Sequence, residues 1–150
     1  MNLLLLRHAE AEDGVADFGR ELTARGRKQA SHIAKWLERH APDGLEVLAS
    51  PTARTVQTAE ALGREFTIAK DLGPGASVEH LLRAAHWPKE GRSVLIVGHQ
   101  PTLGRVASLV LTGTEQDWSI KKGALWWIAH RERDGGAENL LRAVIPPDLA

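Results

Sequence analysis

The sequence predicts a three-layer α/β/α sandwich around a mainly parallel sheet. Three observations carry that prediction. Short continuous apolar runs recur, as in strands buried on both faces. Amphipathic segments separate them, and the resulting β-α-β-α order favours parallel strands with helices on both sides. The chain has 150 residues, 43% of them hydrophobic and 25% charged, which suits one domain spanning 1–150 with a substantial core.

The first strand is Leu3 to Leu6, followed by Arg7 and His8. A polar stretch, Glu10 to Glu21, leads to Thr23, placed to cap a helix running to about His40 with Ala30, Ile33, Ala34 and Leu37 on one face. Pro42-Asp43-Gly44 makes a turn before a second strand, Leu45 to Ala49, and Pro51 starts a helix to about Glu65. Phe66 to Ala69 is a weaker strand. Asp71 to Ser77 is a loop containing Gly73, Pro74 and Gly75, and Val78 to His86 is helical up to Trp87-Pro88. Ser93 to Val97 is a further buried strand, Pro101 opens a helix to about Leu111, and Ala124–Ala129 and Leu140–Ile145 are late strands.

Composition excludes several functions. Nineteen Lys and Arg balance nineteen Asp and Glu, which argues against a nucleic-acid partner or an acidic membrane surface. There is no Cys, hence no disulfide framework, thiolate metal site or cysteine nucleophile. The opening apolar run is too short for a signal peptide or a membrane span, so a cytoplasmic protein is expected. His32, His40, His80, His86 and His130 share no ligand spacing, so no metal is expected either. The five Trp read as packing residues.

Ligands of open α/β sheets bind beyond the carboxyl ends of the strands. There the sequence places Arg7 and His8 after the first strand, Ser50-Pro51 and Arg54 after the second, and Gly98-His99-Gln100 after the fourth. Two guanidiniums, two imidazoles and the helix starts at Pro51 and Pro101 would make an anion pocket. The serines show no nucleophile elbow and no P-loop is present. An imidazole is therefore the best nucleophile remaining, and His8 is the best placed. His99 would face it and stabilise a transferring phosphoryl group.

These residues carry a resemblance. Arg7-His8-Ala9, then Ser50-Pro51-x-x-Arg54-x-x-Gln57-Thr58-Ala59, then Gly98-His99-Gln100-Pro101 resemble the three ordered motifs of the histidine phosphatase superfamily, the phosphoglycerate-mutase-like enzymes. The short length and Asp17-x-x-Arg20-x-Leu22-Thr23-x-x-Gly26-x-x-Gln29-Ala30 look most like the SixA-type phosphohistidine phosphatases. The resemblance covers roughly residues 2 to 112. It implies a phosphorylated His8, a phosphate pocket of Arg7, Arg54 and His99, no cofactor or metal, and a phosphohistidine-bearing partner such as a histidine-phosphotransfer domain in a signalling relay. A monomer is expected.

One departure stands out. Larger relatives carry a Glu general acid in the loop after the third strand, where this chain has Asp71-Leu72-Gly73-Pro74-Gly75; Asp71 and Glu79 are the nearest carboxyls. An alkoxide leaving group needs an acid, whereas imidazole leaves readily, so the departure favours phosphohistidine over phosphate esters. A small-molecule phosphomonoesterase of the same superfamily and a noncatalytic phosphate- or phosphoprotein-binding module are the alternatives. Asp17 and Arg20 read as a rim pair.

Overall fold

A run of leucines in one strand is buried only if both faces of that strand are covered. Leu3, Leu4, Leu5 and Leu6 are all fully buried, each contributing about 2 kcal/mol relative to exposure. The computed structural model describes every residue from Met1 to Ala150. Its strands are β1 (Asn2–Arg7), β2 (Glu46–Ala49), β3 (Thr67–Ile68), β4 (Ser93–Gly98), β5 (Leu125–Arg133) and β6 (Gly136–Ile145). Its helices are α1 (Ala24–His40), α2 (Ala53–Ala61), α3 (Val78–Ala84) and α4 (Thr102–Thr112). None is long and apolar enough to cross a membrane.

The strands form one sheet in the order β3-β2-β4-β1-β5-β6. Alternation along β1 and β4 divides the core between its two faces. Leu3, Leu5, Val94 and Ile96 pack with Val78 and Leu81 of α3 and Leu103 and Val106 of α4. Leu4, Leu6, Leu95 and Val97 pack with Ile33 and Leu37 of α1 and Ala59 of α2. This is the three-layer arrangement expected from the sequence.

The sheet is mixed rather than uniformly parallel. β3, β2, β4 and β1 pair in parallel, whereas β1–β5 and β5–β6 are antiparallel. The connection after α4 is responsible. It returns to the carboxyl end of β1, where the Gly123 N–H donates to the carbonyls of Arg7 and His8. β5 therefore starts beside the end of β1 and runs the opposite way. The tight turn at Asp134-Gly135 then permits only an antiparallel hairpin.

Thr23 caps α1 as expected, accepting from the Gly26 N–H at 2.9 Å. α2 is shorter than its pattern. Thr52, not Pro51, is its cap, accepting from Thr55 N–H, and the helix ends at Ala61 rather than near Glu65. The Leu62 N–H still closes the last turn, but Gly63 adopts a positive φ of 67°, which breaks the repeat. α3 likewise stops at Ala84, before His86 with φ 54°.

Two glycines are required by close approach. A Cβ on Gly26 would lie 2.0 Å from the Glu10 carbonyl oxygen, and one on Gly104 would lie 1.7 Å from that of Trp118. The first contact seats the segment after β1 on α1. The second seats the returning connection on α4, where Gln100 also accepts from the Gly104 N–H and donates to Trp118 O.

Candidate active site

The three strand-end motifs converge because β2, β4 and β1 are parallel neighbours, with their carboxyl ends on one edge. His8 extends β1 by one residue. Its N–H donates to Gly98 O at 3.1 Å and its carbonyl accepts from Gly123 N–H at 3.1 Å, so both its backbone groups are held. Small Ala9 is fully buried beside it, with its N–H donating to Thr58 Oγ1 at 3.1 Å. Thr58 Oγ1 in turn donates to Arg54 O at 2.7 Å, fixing the pocket to α2.

The His8 ring is held in one orientation. Its Nδ1 lies 2.8 Å from Ala9 O. A carbonyl only accepts, so Nδ1 carries the proton and Nε2 keeps its lone pair. Burial, reinforced by Arg54, Arg7 and Lys122 and partly offset by the Ala9 bond, pushes the ring down to a pKa of about 4. His8 is therefore a neutral imidazole at physiological pH.

His99 faces it with ring centroids 5.4 Å apart. Arg54 Nη2 donates to His99 Nδ1 at 3.4 Å, which leaves the proton of the neutral ring on Nε2, 2.7 Å from Ser50 Oγ. Burial, then the neighbouring Arg54 charge, lowers this ring to a pKa of about 3. Two neutral imidazoles thus share a pocket with two permanent cations.

Each guanidinium is held by carbonyls. Arg7 Nη1 donates to Ile120 O at 2.9 Å, and Arg54 Nη1 donates to Asp17 O at 2.8 Å. Arg54 is 4% exposed, and the Nε–H groups of both arginines are buried without a partner. Buried unpaired donors are costly. Both are cationic donors suited to an anionic acceptor.

Of the residues expected from sequence, Arg7, His8, Arg54 and His99 come together. Asp71 and Glu79 do not: both are exposed, and neither bonds to any of those four. The carboxylate that reaches the pocket is Asp17, expected only as a rim partner of Arg20. It pairs with Arg20 at 3.2 Å and with Arg54 at 3.3 Å. The Arg20 hydrogen bond and the Arg54 charge hold it below the usual carboxylate range, so it is a poor proton donor. Gln57 accepts from Leu22 N–H and donates to Glu21, which tethers the segment before α1 and does not aim at the pocket.

Sequence reasoning missed Ser50 as the orienter of His99 and Lys122 as a contributor to the field at His8. Ser50 lay inside a motif and was legible as a strand-end hydroxyl. Lys122 carried no motif, because only the returning connection brings it near. Beside Arg7, a depression of about 550 Å³ is lined by Arg25, Lys28, His32, Lys121 and Lys122, with Asp148 its one carboxylate. The net-neutral chain thus concentrates cations on one rim.

An α/β fold with paired imidazoles and guanidiniums at its carboxyl edge defines a phosphoryl-handling class of protein. The family model of the histidine phosphatase superfamily (branch 1) matches residues 3–75. An uncharacterised Mycobacterium tuberculosis protein, Rv1276c, is 30% identical over 119 residues, 73% of each chain. A structure from Nakamurella multipartitia assigned as phosphohistidine phosphatase SixA superposes with a TM-score of 0.76 and 27% identity, covering 97% of this chain and 95% of that one. An Escherichia coli structure assigned as an α-ribazole-5′-P phosphatase shares the fold alone, at TM-score 0.75 and 18% identity over 100% and 99% of the two chains.

The chain belongs to the histidine phosphatase superfamily and is of SixA type. It is a phosphatase with a histidine nucleophile.

Proposed function

We propose that this phosphatase hydrolyses phosphohistidine on proteins, with His8 as the phosphorylated nucleophile and Arg7, Arg54 and His99 holding the phosphoryl group. The observation that carries this reading is the protonation state of the pocket. Both imidazoles are neutral, and the one carboxylate touching the site, Asp17, is held ionised by Arg20 and Arg54. Such a pocket offers nucleophile and charge but no strong acid, which suits a leaving group that departs without one.

His8 Nε2 attacks phosphorus and the bond to the substrate imidazole breaks. A substrate ring already protonated on its other nitrogen leaves as neutral imidazole. The phosphorylated His8 ring keeps its Nδ1 proton, and Ala9 O, 2.8 Å away, accepts from it and supports the positive charge. Arg7 and Arg54 neutralise the oxygens. Water then forms the new P–O bond, the Nε2–P bond breaks, both water protons stay with the released phosphate, and His8 returns neutral. The cationic depression beside Arg7 supports a protein substrate with acidic residues around its phosphohistidine, as would the surface of a histidine-phosphotransfer domain in a cytoplasmic relay.

The test is a comparison of kcat/KM on a phosphohistidine-bearing protein and on a panel of alkyl phosphomonoesters. Phosphohistidine is expected to be preferred by several orders of magnitude. Equal turnover of an alkyl ester would overturn the substrate assignment and favour a small-molecule phosphatase.

A further inference from the structure

At the opposite end of the sheet from His8, His130 lies on β5 beside the start of β1. Its N–H donates to Met1 O at 2.8 Å, and its carbonyl accepts from Met1 N at 2.9 Å. The residue is 7% exposed and its ring packs edge-on against Trp87, with centroids 5.4 Å apart. Its Nδ1 lies 2.6 Å from Asn139 Oδ1. Asn139 Nδ2 is committed to Val110 O at 3.0 Å, so its oxygen is the atom facing the ring and accepts the Nδ1 proton. The lone pair is thus left on Nε2, which is buried and has no hydrogen-bond partner.

That nitrogen points at carboxylates. Glu132 Oε1 is 3.6 Å away, too far for a hydrogen bond. Glu90, from the loop before β4, completes a set of three donor atoms within 4.8 Å of one another. We propose that Glu90, His130 and Glu132 form a binding site for a divalent metal of zinc type.

The donor set selects the metal class. One imidazole with two carboxylates suits a borderline cation such as Zn²⁺, whereas Ca²⁺ and Mg²⁺ favour all-oxygen shells. An imidazole whose far nitrogen is anchored by a second group is the arrangement that metal ligation uses. Tetrahedral ligands about 2.1 Å from Zn²⁺ stand about 3.4 Å apart, close to the His130–Glu132 separation. Glu90 is half-exposed, so its side chain is free to supply the remaining movement.

Arg131, Arg133 and Arg142 border the same depression as the three donors, but their side chains are directed or engaged elsewhere. Strand alternation puts Arg131 and Arg133 on the other face from His130 and Glu132. Arg133 pairs with Glu138 at 3.3 Å, and Arg142 lies over the Trp127 ring at 4.7 Å. The Met1 ammonium is 3.9 Å from Glu90 but is already bonded to His130 O. Binding would clamp the loop before β4 to the β5–β6 hairpin, far from the phosphate pocket. The sequence hides this set because Glu90 lies forty positions before His130.

The test is a titration of the chelator-stripped full chain with ZnCl₂ alone, followed by calorimetry and thermal melting, on a His8→Ala background so that the two pocket imidazoles cannot act together as a competing site. One equivalent of Zn²⁺ is expected to bind at micromolar concentration and to raise Tm. Glu90→Gln and Glu132→Gln, both surface changes, should each weaken binding at least about tenfold without altering the metal-free melt. CaCl₂ should not substitute. Absence of saturable binding, or binding unaffected by both glutamine variants, would overturn the site and leave an imidazole–carboxylate cluster alone.

Discussion

Arg54→Ala tests the pocket most directly, because Arg54 engages two of its groups and keeps a donor free. Its guanidinium donates to His99 Nδ1, pairs with Asp17, and carries a buried Nε–H aimed at no protein acceptor. Losing one such charged donor to a developing phosphoryl charge costs about 3 kcal/mol, or roughly 10²–10³ in kcat/KM. A second effect follows from the same charge. Arg54 is the next cause after burial of the low His99 pKa of about 3, and it also lowers His8, whose pKa is about 4. Removing it should move both rings upward, so activity in the variant should decline at a higher pH than in the parent. The assay is kcat/KM on a phosphohistidine protein from about pH 4 to 8, with circular dichroism to confirm folding at each point. A loss below tenfold, or an acid limb that stays in place, would refute the role given to Arg54.

His8→Ala should abolish acid-labile phosphate labelling from a phosphodonor; a variant that still traps label would move the nucleophile elsewhere. Acid should also destabilise the fold in a calculable way. Above pH 6.5 both histidines are neutral in folded and unfolded chains, and the effect vanishes. Below it the unfolded chain protonates them while the folded one resists until about pH 4 and about pH 3. Stability should therefore fall with pH by about 1.4 kcal/mol per unit for each ring, or about 4 kcal/mol by pH 5 for the pair. Urea melts of the parent and of a His8→Asn, His99→Gln double variant measure this, and an unchanged slope in the double variant would count against it. Ser50→Ala should free the His99 ring and lower kcat about tenfold while KM changes little. Gly104→Ala should lower Tm by several degrees, since its Cβ would meet the Trp118 carbonyl oxygen at 1.7 Å and cost at least about 2 kcal/mol.

Most of the strands and helices were legible because their signals are local. The leucine run needs two covered faces, Thr23 is a cap with a donor three residues on, and Leu45 to Ala49 is too short and apolar for anything but a strand. The ends of α2 and α3 were misjudged where an apolar pattern outlasted the helix and a residue of positive φ, Gly63 or His86, broke it. Arg7, His8, Arg54 and His99 were legible because parallel strands bring their following residues to one edge. Lys122 and the role of Asp17 were not, since each is defined by a partner distant in the sequence.

By itself the sequence determined the layered α/β class, the cluster of arginines and histidines at one sheet edge and the nucleophile type, because absent cysteine and three strand-end motifs are facts of composition and order. The tertiary structure decided the rest. It set β5 and β6 antiparallel by returning the connection after α4 to the end of β1, it chose the tautomer of each imidazole through Ala9 O, Arg54 and Ser50, and it turned Asp17 rather than Asp71 or Glu79 toward the site. Those outcomes depend on which groups meet across the fold, and local pattern carries no record of such meetings.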